Sequence, residues 1–183
     1  TSTTFELVVD NLAPAVAADN ASVAVDEGQT ATNTGTFSDA GADTVGLTAS
    51  IGTVSSGAGT WSWSFDPVDG PDDSQTVTIT ATDSDGAVSN TTFGLMVNNV
   101  APTADAGADQ TINEGATISL DPSTFNDPGT ADTHTATINW GDGSVIDIGA
   151  VTDTPTAAGT VDGSHVYADN GAYTVSLTVT DSD

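Results

Sequence analysis

Every formally charged side chain in this sequence is a carboxylate: 26 Asp and Glu residues stand against no Lys and no Arg, giving a formal charge of −26. Carboxylates gathered in loops suit hard cations, and Ca²⁺ takes roughly six to eight oxygen ligands from carboxylates and carbonyls. The sequence offers two comparable sets. The first is Glu27, Asp39, Asp43, Asp83 and Asp85; the second is Glu114, Asp127, Asp132, Asp181 and Asp183; Asn11 and Asn99 can add amide oxygens. If the Glu-Gly and Asp-Ser-Asp turns meet at one pole of a domain, each pole is expected to bind calcium, with an affinity on the order of 10⁻⁴ M as in extracellular modules. The spacing is not that of an EF-hand loop. Asp and Gly also simply make turns, but a chain without cations needs its charge offset, which favours calcium as the cofactor.

Other chemistry is poorly supported. His134 and His165 are the only imidazoles, and no spacing of partners signals zinc or general acid–base work, so structural roles are expected. No GxSxG elbow occurs, and carboxylates are too plentiful for a chosen pair to indicate a glycosidase. The chain reads as no enzyme. The Trp140–Ser144 run (WGDGS) reads as a tight turn whose Trp140 shares a face with Ala136 and Ile138; a sugar platform would need that ring exposed. Trp61 and Trp63 share a face with Phe65, as core residues do, and Tyr173 is placed like a corner tyrosine. Asn20-Ala21-Ser22 and Asn90-Thr91-Thr92 fit the glycosylation acceptor pattern.

The missing cations exclude partners as well. Without a basic patch there is nothing to meet nucleic acid phosphate or anionic lipid, and no apolar run approaches the ~20 residues needed to span a bilayer. With no Cys there is no disulfide frame. The chain does not begin with Met and reads as a mature or excised segment, any targeting sequence lying outside it.

Alternation of apolar residues with Thr and Ser, broken by Gly, Asp, Asn and Pro every eight to twelve residues, is the pattern of short sandwich strands. It predicts strands at Ser22–Val25, Leu47–Ile51, Trp61–Phe65, Thr76–Ala81, Phe93–Val97, Thr111–Leu120, Thr135–Trp140 and Tyr173–Val179. The pattern occurs twice. Thr4–Pro14 (TFELVVDNLAP) returns as Thr92–Pro102 (TFGLMVNNVAP), and Thr76–Asp85 returns as Thr174–Asp183. The fold expected is all-β: two tandem β-sandwich domains in an extended rod. Residues 1–13 form a strand plus hinge, 14–98 the first domain, 99–101 a hinge and 102–183 the second domain, which lacks its closing strand.

WGDGS at Trp140–Ser144, together with GSHVYADNGAYTVSLTVTDSD at Gly163–Asp183, resembles the PKD domain of bacterial and archaeal surface proteins. The first copy has Ile51-Gly52-Thr53 where WGDG would fall, and is similar instead to related immunoglobulin-like repeats. The resemblance implies a sandwich module of stalks, adhesins, surface layers or accessory regions of secreted hydrolases, and an extracellular or cell-surface setting.

The two repeats are cut out of phase, with a strand too many at the head and one too few at the tail. Phe5, Leu7 and Val9 alternate as Phe93, Leu95 and Val97 do. These three, with Asn11, are therefore expected to complete an identical unit, head to tail. The expected function is a structural repeat or subunit of an extracellular filament, stalk or adhesin, stiffened by calcium. The alternative is a carbohydrate- or surface-binding accessory module with glycans or other surface components as partners; an exposed aromatic row would favour it.

Overall fold

The computed structural model describes residues 1–120, 123–154 and 158–183, and among these it contains strands and no helix. The first repeat forms eight strands: β1 (Ala15–Ala18), β2 (Ser22–Asp26), β3 (Ala31–Ser38), β4 (Gly46–Ala49), β5 (Thr53–Gly57), β6 (Thr60–Phe65), β7 (Gln75–Thr82) and β8 (Val88–Asn98). They pair into two four-stranded sheets, ordered β1-β3-β6-β5 and β2-β8-β7-β4. Alternation decides which face is buried. Trp61 and Trp63 on β6, Val77, Ile79 and Ala81 on β7, and Phe93 and Leu95 on β8 are all buried. Trp63 meets Phe93 edge to face at 5.0 Å, and its indole N–H donates to the Ile51 carbonyl at 2.7 Å. This places both tryptophans in the core, as expected, while Phe65 at the strand end is only half-buried.

The second repeat forms β9 (Thr103–Asp105), β10 (Thr117–Ser119), β11 (Thr124–Asn126), β12 (Thr135–Asn139), β13 (Asp147–Thr154), β14 (Ala158–Asp162), β15 (Ser164–Val166) and β16 (Ser176–Thr180). Here β13 pairs with β12 through its first residues and with β14 through its last, so one sheet runs β16-β12-β13-β14-β11-β9, beside a β10-β15 pair. Leu120, Ile138, Trp140 and Tyr167 form one core cluster, and Phe125, Ala136 and Val161 another. Trp140 is 1% exposed and donates its indole N–H to Asp147 at 2.7 Å. The Tyr167 hydroxyl donates to the Trp140 carbonyl at 2.8 Å, and Tyr173 donates to the Asp169 carbonyl at 3.1 Å, the local tie expected of a corner tyrosine.

Two strand expectations need correction. Thr111–Leu120 is not one strand: only Thr117–Ser119 is extended and paired, because a turn at Glu114-Gly115 intervenes and Gly115 adopts φ +77°, a left-handed conformation that interrupts a strand. The strand read over Tyr173–Val179 begins only at Ser176, and Tyr173–Val175 lie outside it. Thr4–Asp10, read as a strand for a neighbouring unit, pairs with nothing in its own chain, and Phe5, Leu7 and Val9 are 87%, 74% and 83% exposed. Nor does compactness follow the linear boundaries. One compact unit comprises Thr1–Val25, Gln29–Asp66 and Ser74–Met96; the other comprises Val97–Asp183 together with two short loops, Asp26–Gly28 and Pro67–Asp73.

Trp63→Ala and Trp140→Ala should each cost about 3–5 kcal/mol, since both remove a fully buried indole and leave a cavity. Denaturant unfolding followed separately for each variant checks this, and a loss under about 1 kcal/mol would contradict core placement.

Candidate functional site

The second unit gathers carboxylates around Asp132. The loop after β11 runs Asp127-Pro128-Gly129-Thr130-Ala131-Asp132, and it closes on itself: Gly129 N–H donates to Asp127 Oδ1 at 2.9 Å and Asp132 N–H to the Gly129 carbonyl at 3.3 Å. A Cβ on Gly129 would lie 2.2 Å from Asp132 Oδ2 and 2.8 Å from Glu27 Oε2, so only glycine lets the two carboxylates approach this loop. Glu27 arrives on the Asp26–Gly28 loop that follows β2. Its Oε2 accepts Gly70 N–H at 2.8 Å and its Oε1 accepts Val100 N–H at 2.7 Å, while its own N–H donates to the Asn98 carbonyl at 3.1 Å. Gly28 N–H bonds the Pro67 carbonyl and Ala131 N–H the Val68 carbonyl, which brings in the Pro67–Asp73 loop and with it Asp69.

Oxygens of Glu27, Asp127 and Asp132 lie within 4.8 Å of one another, as do oxygens of Asp69, Asp132 and Asp183. Glu27 is 1% exposed, Asp127 0% and Asp132 8%, so three carboxylates share a buried site. Both oxygens of Asp132 are buried without a hydrogen-bond partner, and so are Asp69 Oδ1, Asn99 Oδ1 and Asp181 Oδ2. Burial, then the charges of Glu27, Asp127, Asp183 and Asp69, push the Asp132 carboxyl up to about 6. Asp69 is raised as well, by burial and then by Asp183, Asp72 and Asp73.

One cationic group adjoins this cluster among the described residues. His134 Nε2 lies 2.9 Å from Asp127 Oδ2 and its Nδ1 2.9 Å from Asp153 Oδ1. Burial pulls the His134 pKa down, but the hydrogen bonds to Asp127 and Asp153 outweigh it and hold the imidazole above its ordinary value. As an imidazolium it donates from both nitrogens, to Asp127 and to Asp153.

The structure therefore regroups the residues picked from sequence. Glu27 joins Asp127 and Asp132 of the other repeat, not Asp39 and Asp43 of its own, and neither carboxylate group includes Asp39, Asp43, Asp83, Asp85, Glu114 or Asp181. Asp183 takes part, and Asn99 sits next to Val100, whose N–H binds Glu27. Asp69 was not legible: nothing in the VDGPDD run marks it apart from an ordinary turn. Asp39 and Asp43 keep a loop like that of Asp127 and Asp132, with Gly41 N–H donating to Asp39 Oδ1 at 3.2 Å, and Ser84 Oγ donates to Asp43 at 2.6 Å. Asp83 Oδ1 accepts the N–H groups of Asp85 and Ala87, and its Oδ2 accepts from the Asn11 amide at 3.0 Å. Asn11 is thus engaged through its amide N–H as a donor to Asp83. Burial raises the Asp83 pKa, but these hydrogen bonds outweigh it and hold it below the usual carboxylate range. Asp85 and Glu114 are exposed, as are Asn20 and Asn90; Asn20 donates to the Asn33 side chain at 3.1 Å.

The WGDGS turn is a separate polar site. Asp142 accepts Ser144 N–H at 3.0 Å and bonds His165 Nε2 at 2.8 Å. Hydrogen bonds from Ser144, then from His165, hold its carboxyl far below the ordinary range. His165 in turn stacks on Trp140 at 5.1 Å and meets Tyr167 edge-on at 4.8 Å. The Trp140 ring is covered, so it offers no face to a sugar.

The family model described as PKD domain matches residues 99–183. No curated protein matches the sequence. Among solved structures, the chain is similar to the titin domains Z1Z2 in complex with telethonin (17% identity, 94% of this chain and 95% of that one, TM-score 0.40). It is also similar to domains A168–A170 of titin (14%, 92% and 65%, TM-score 0.46) and to DIP-gamma IG1+IG2 (12%, 92% and 95%, TM-score 0.39). PKD and immunoglobulin-like domains are typically non-catalytic structural modules, and PKD domains typically occur in extracellular proteins. The PKD match thus falls on the second of two tandem immunoglobulin-like β-sandwich domains.

Proposed function

We propose that this chain is a calcium-binding structural repeat of an extracellular filament, stalk or adhesin, joined head to tail to like units by strand complementation, and that it is not an enzyme. The observation that carries the reading is Asp132, whose two buried oxygens have no partner beside the equally buried Glu27 and Asp127. Removing one carboxylate from water is costly, and crowding several together is worse unless a cation meets them. The donors fit a hard cation: carboxylates and one amide oxygen, with no sulfur and no imidazole facing Asp132 in either group. Glu27, Asp127, Asp132, Asp69 and Asp183 would hold the ion, with Asn99 and Asp181 as neighbouring oxygens. By joining the Asp26–Gly28 and Pro67–Asp73 loops to the Asp127–Asp132 loop, it would stiffen the chain where β2, β6 and β7 end or begin. The carbohydrate-binding alternative draws less support, since Trp61, Trp63 and Trp140 are buried and, among the described residues, the large exposed hydrophobic side chains include one aromatic ring, Phe5.

Calcium binding only to the folded state stabilises it by about 2.7 kcal/mol at a hundredfold excess over Kd. Chelation should therefore lower Tm by on the order of 10 °C in a scanning calorimeter. Asp132→Asn should abolish that response and, without metal, raise Tm, because it removes charge repulsion. Equal melting curves for the unaltered chain with calcium and with chelator would sink the calcium reading.

The pH dependence has a defined sign. The folded-state pKa of Asp132 is raised from 3.8 to about 6. In metal-free protein its contribution to stability is therefore fully present below about pH 4 and lost as pH rises through about 6. With calcium, protons compete with the ion, and the slope over that window should reverse. Denaturant titrations at stepped pH, with the Asp132→Asn variant as the flat reference, measure both slopes.

A further inference from the structure

The two carboxylate groups of the second unit share one member. Glu27, Asp127 and Asp132 form the first and Asp69, Asp132 and Asp183 the second, each with its oxygens within 4.8 Å of one another. Ca²⁺ holds oxygens at about 2.3–2.6 Å, so donors on opposite sides of one ion stand roughly 5 Å apart. Each group therefore has the span of a single coordination sphere. Glu27 and Asp127 belong to one sphere, Asp69 and Asp183 to the other, and Asp132 alone stands in both. The hydrogen bonds divide along the same line. Glu27 is held by Gly70 and Val100, and Asp127 by Gly129 and His134, which fixes the first pair in place. Asp69 Oδ1 is buried without a partner, so the second group has an orphan oxygen of its own. Asp132, more than nine-tenths buried, leaves both of its oxygens unpaired. A carboxylate common to two groups, with two free oxygens, has one to offer each. Charge points the same way. One Ca²⁺ offsets two of these five carboxylates and leaves three in a site where burial makes each costly. A second offsets two more.

We infer that this site holds two Ca²⁺ ions bridged by Asp132, one shared with Glu27 and Asp127 and the other with Asp69 and Asp183. Bridged ions of this kind lie roughly 4 Å apart. Asn99 and Asp181, whose buried oxygens also lack partners, stand near as further donors, and water completes each sphere. The two ions tie different segments. The first joins the Asp26–Gly28 loop to the Asp127–Asp132 loop, and the second joins the Pro67–Asp73 loop to the residues after β16. The inference deepens the calcium-binding reading and rests on it: it adds a second ion and assigns each carboxylate to one of the two.

Equilibrium dialysis of the full chain against radiolabelled calcium, in physiological salt, counts the ions bound. Ions held loosely elsewhere on so acidic a surface cancel when variants are compared with the unaltered chain. At saturation Asp132→Asn should hold two ions fewer. Asp69→Asn and Asp183→Asn should each hold one fewer and keep the other. Asp183 is exposed, so its substitution leaves the fold intact and the count readable even where a buried change perturbs it. Mixed loading with terbium and europium, standing in for calcium, tests adjacency: energy transfer to a neighbouring europium should shorten the terbium luminescence lifetime in the unaltered chain and not in Asp69→Asn. Loss of a single ion from Asp132→Asn, no loss from Asp69→Asn and Asp183→Asn, or an unchanged terbium lifetime overturns the two-ion site while calcium binding stands. Calcium counts equal in the unaltered chain and all three variants remove both.

Discussion

Like charge has few remedies in a protein that owns no lysine or arginine. Most of its carboxylates are left in water, where high dielectric and salt screen them. Asp132 is not, and neither are Glu27 and Asp127. Much of the second unit's loop architecture serves their approach: Gly129 for clearance, the backbone donors Gly70 and Val100 on Glu27, and the His134 imidazole behind Asp127. Each of these lowers the cost of one carboxylate without touching Asp132. Hydrogen bonds thus reach Glu27 and Asp127, whereas both oxygens of Asp132 stay unpaired, as do Asp69 Oδ1, Asn99 Oδ1 and Asp181 Oδ2.

The sandwich itself was legible because its signals are local and redundant. Alternating Thr and Val, punctuated by Asp-Gly and Ala-Pro, placed β2, β4, β6, β7, β8 and β12 close to their positions, and the burial of Trp61, Trp63 and Trp140 followed from shared faces. The failures come where pairing, not pattern, decides. Thr111–Leu120 has the composition of a strand, yet a strand exists only if something pairs with it, and the left-handed Gly115 divides the run. Tyr173–Val175 likewise carries the pattern but lies outside β16.

The carboxylate site was half legible. Sequence supplied Glu27, Asn99, Asp127, Asp132, Asp181 and Asp183, but sorted them by repeat, because alignment of two copies invites the assumption that each copy closes its own site. Contact across the fold follows other lines. Glu27 is held by the backbone of Gly70 and Val100, far from it in sequence, and no pattern announces either. Asp69 lies in a run of turn-forming residues, where a ligand and a turn aspartate look alike until burial separates them.

That the second compact unit includes Asp26–Gly28 and Pro67–Asp73 bears on how such repeats can be shuffled by recombination. A crossover at Ala101-Pro102, the obvious seam in the sequence, would transplant the second sandwich without Glu27 and Asp69 and strand Asp132 among fewer carboxylates. Within this chain, a change at Glu27 must be tolerated by the Asp127–Asp132 loop, and the reverse. The compact unit is longer than the linear domain, and two of its boundaries fall within strands, at Val25/Asp26 and Met96/Val97.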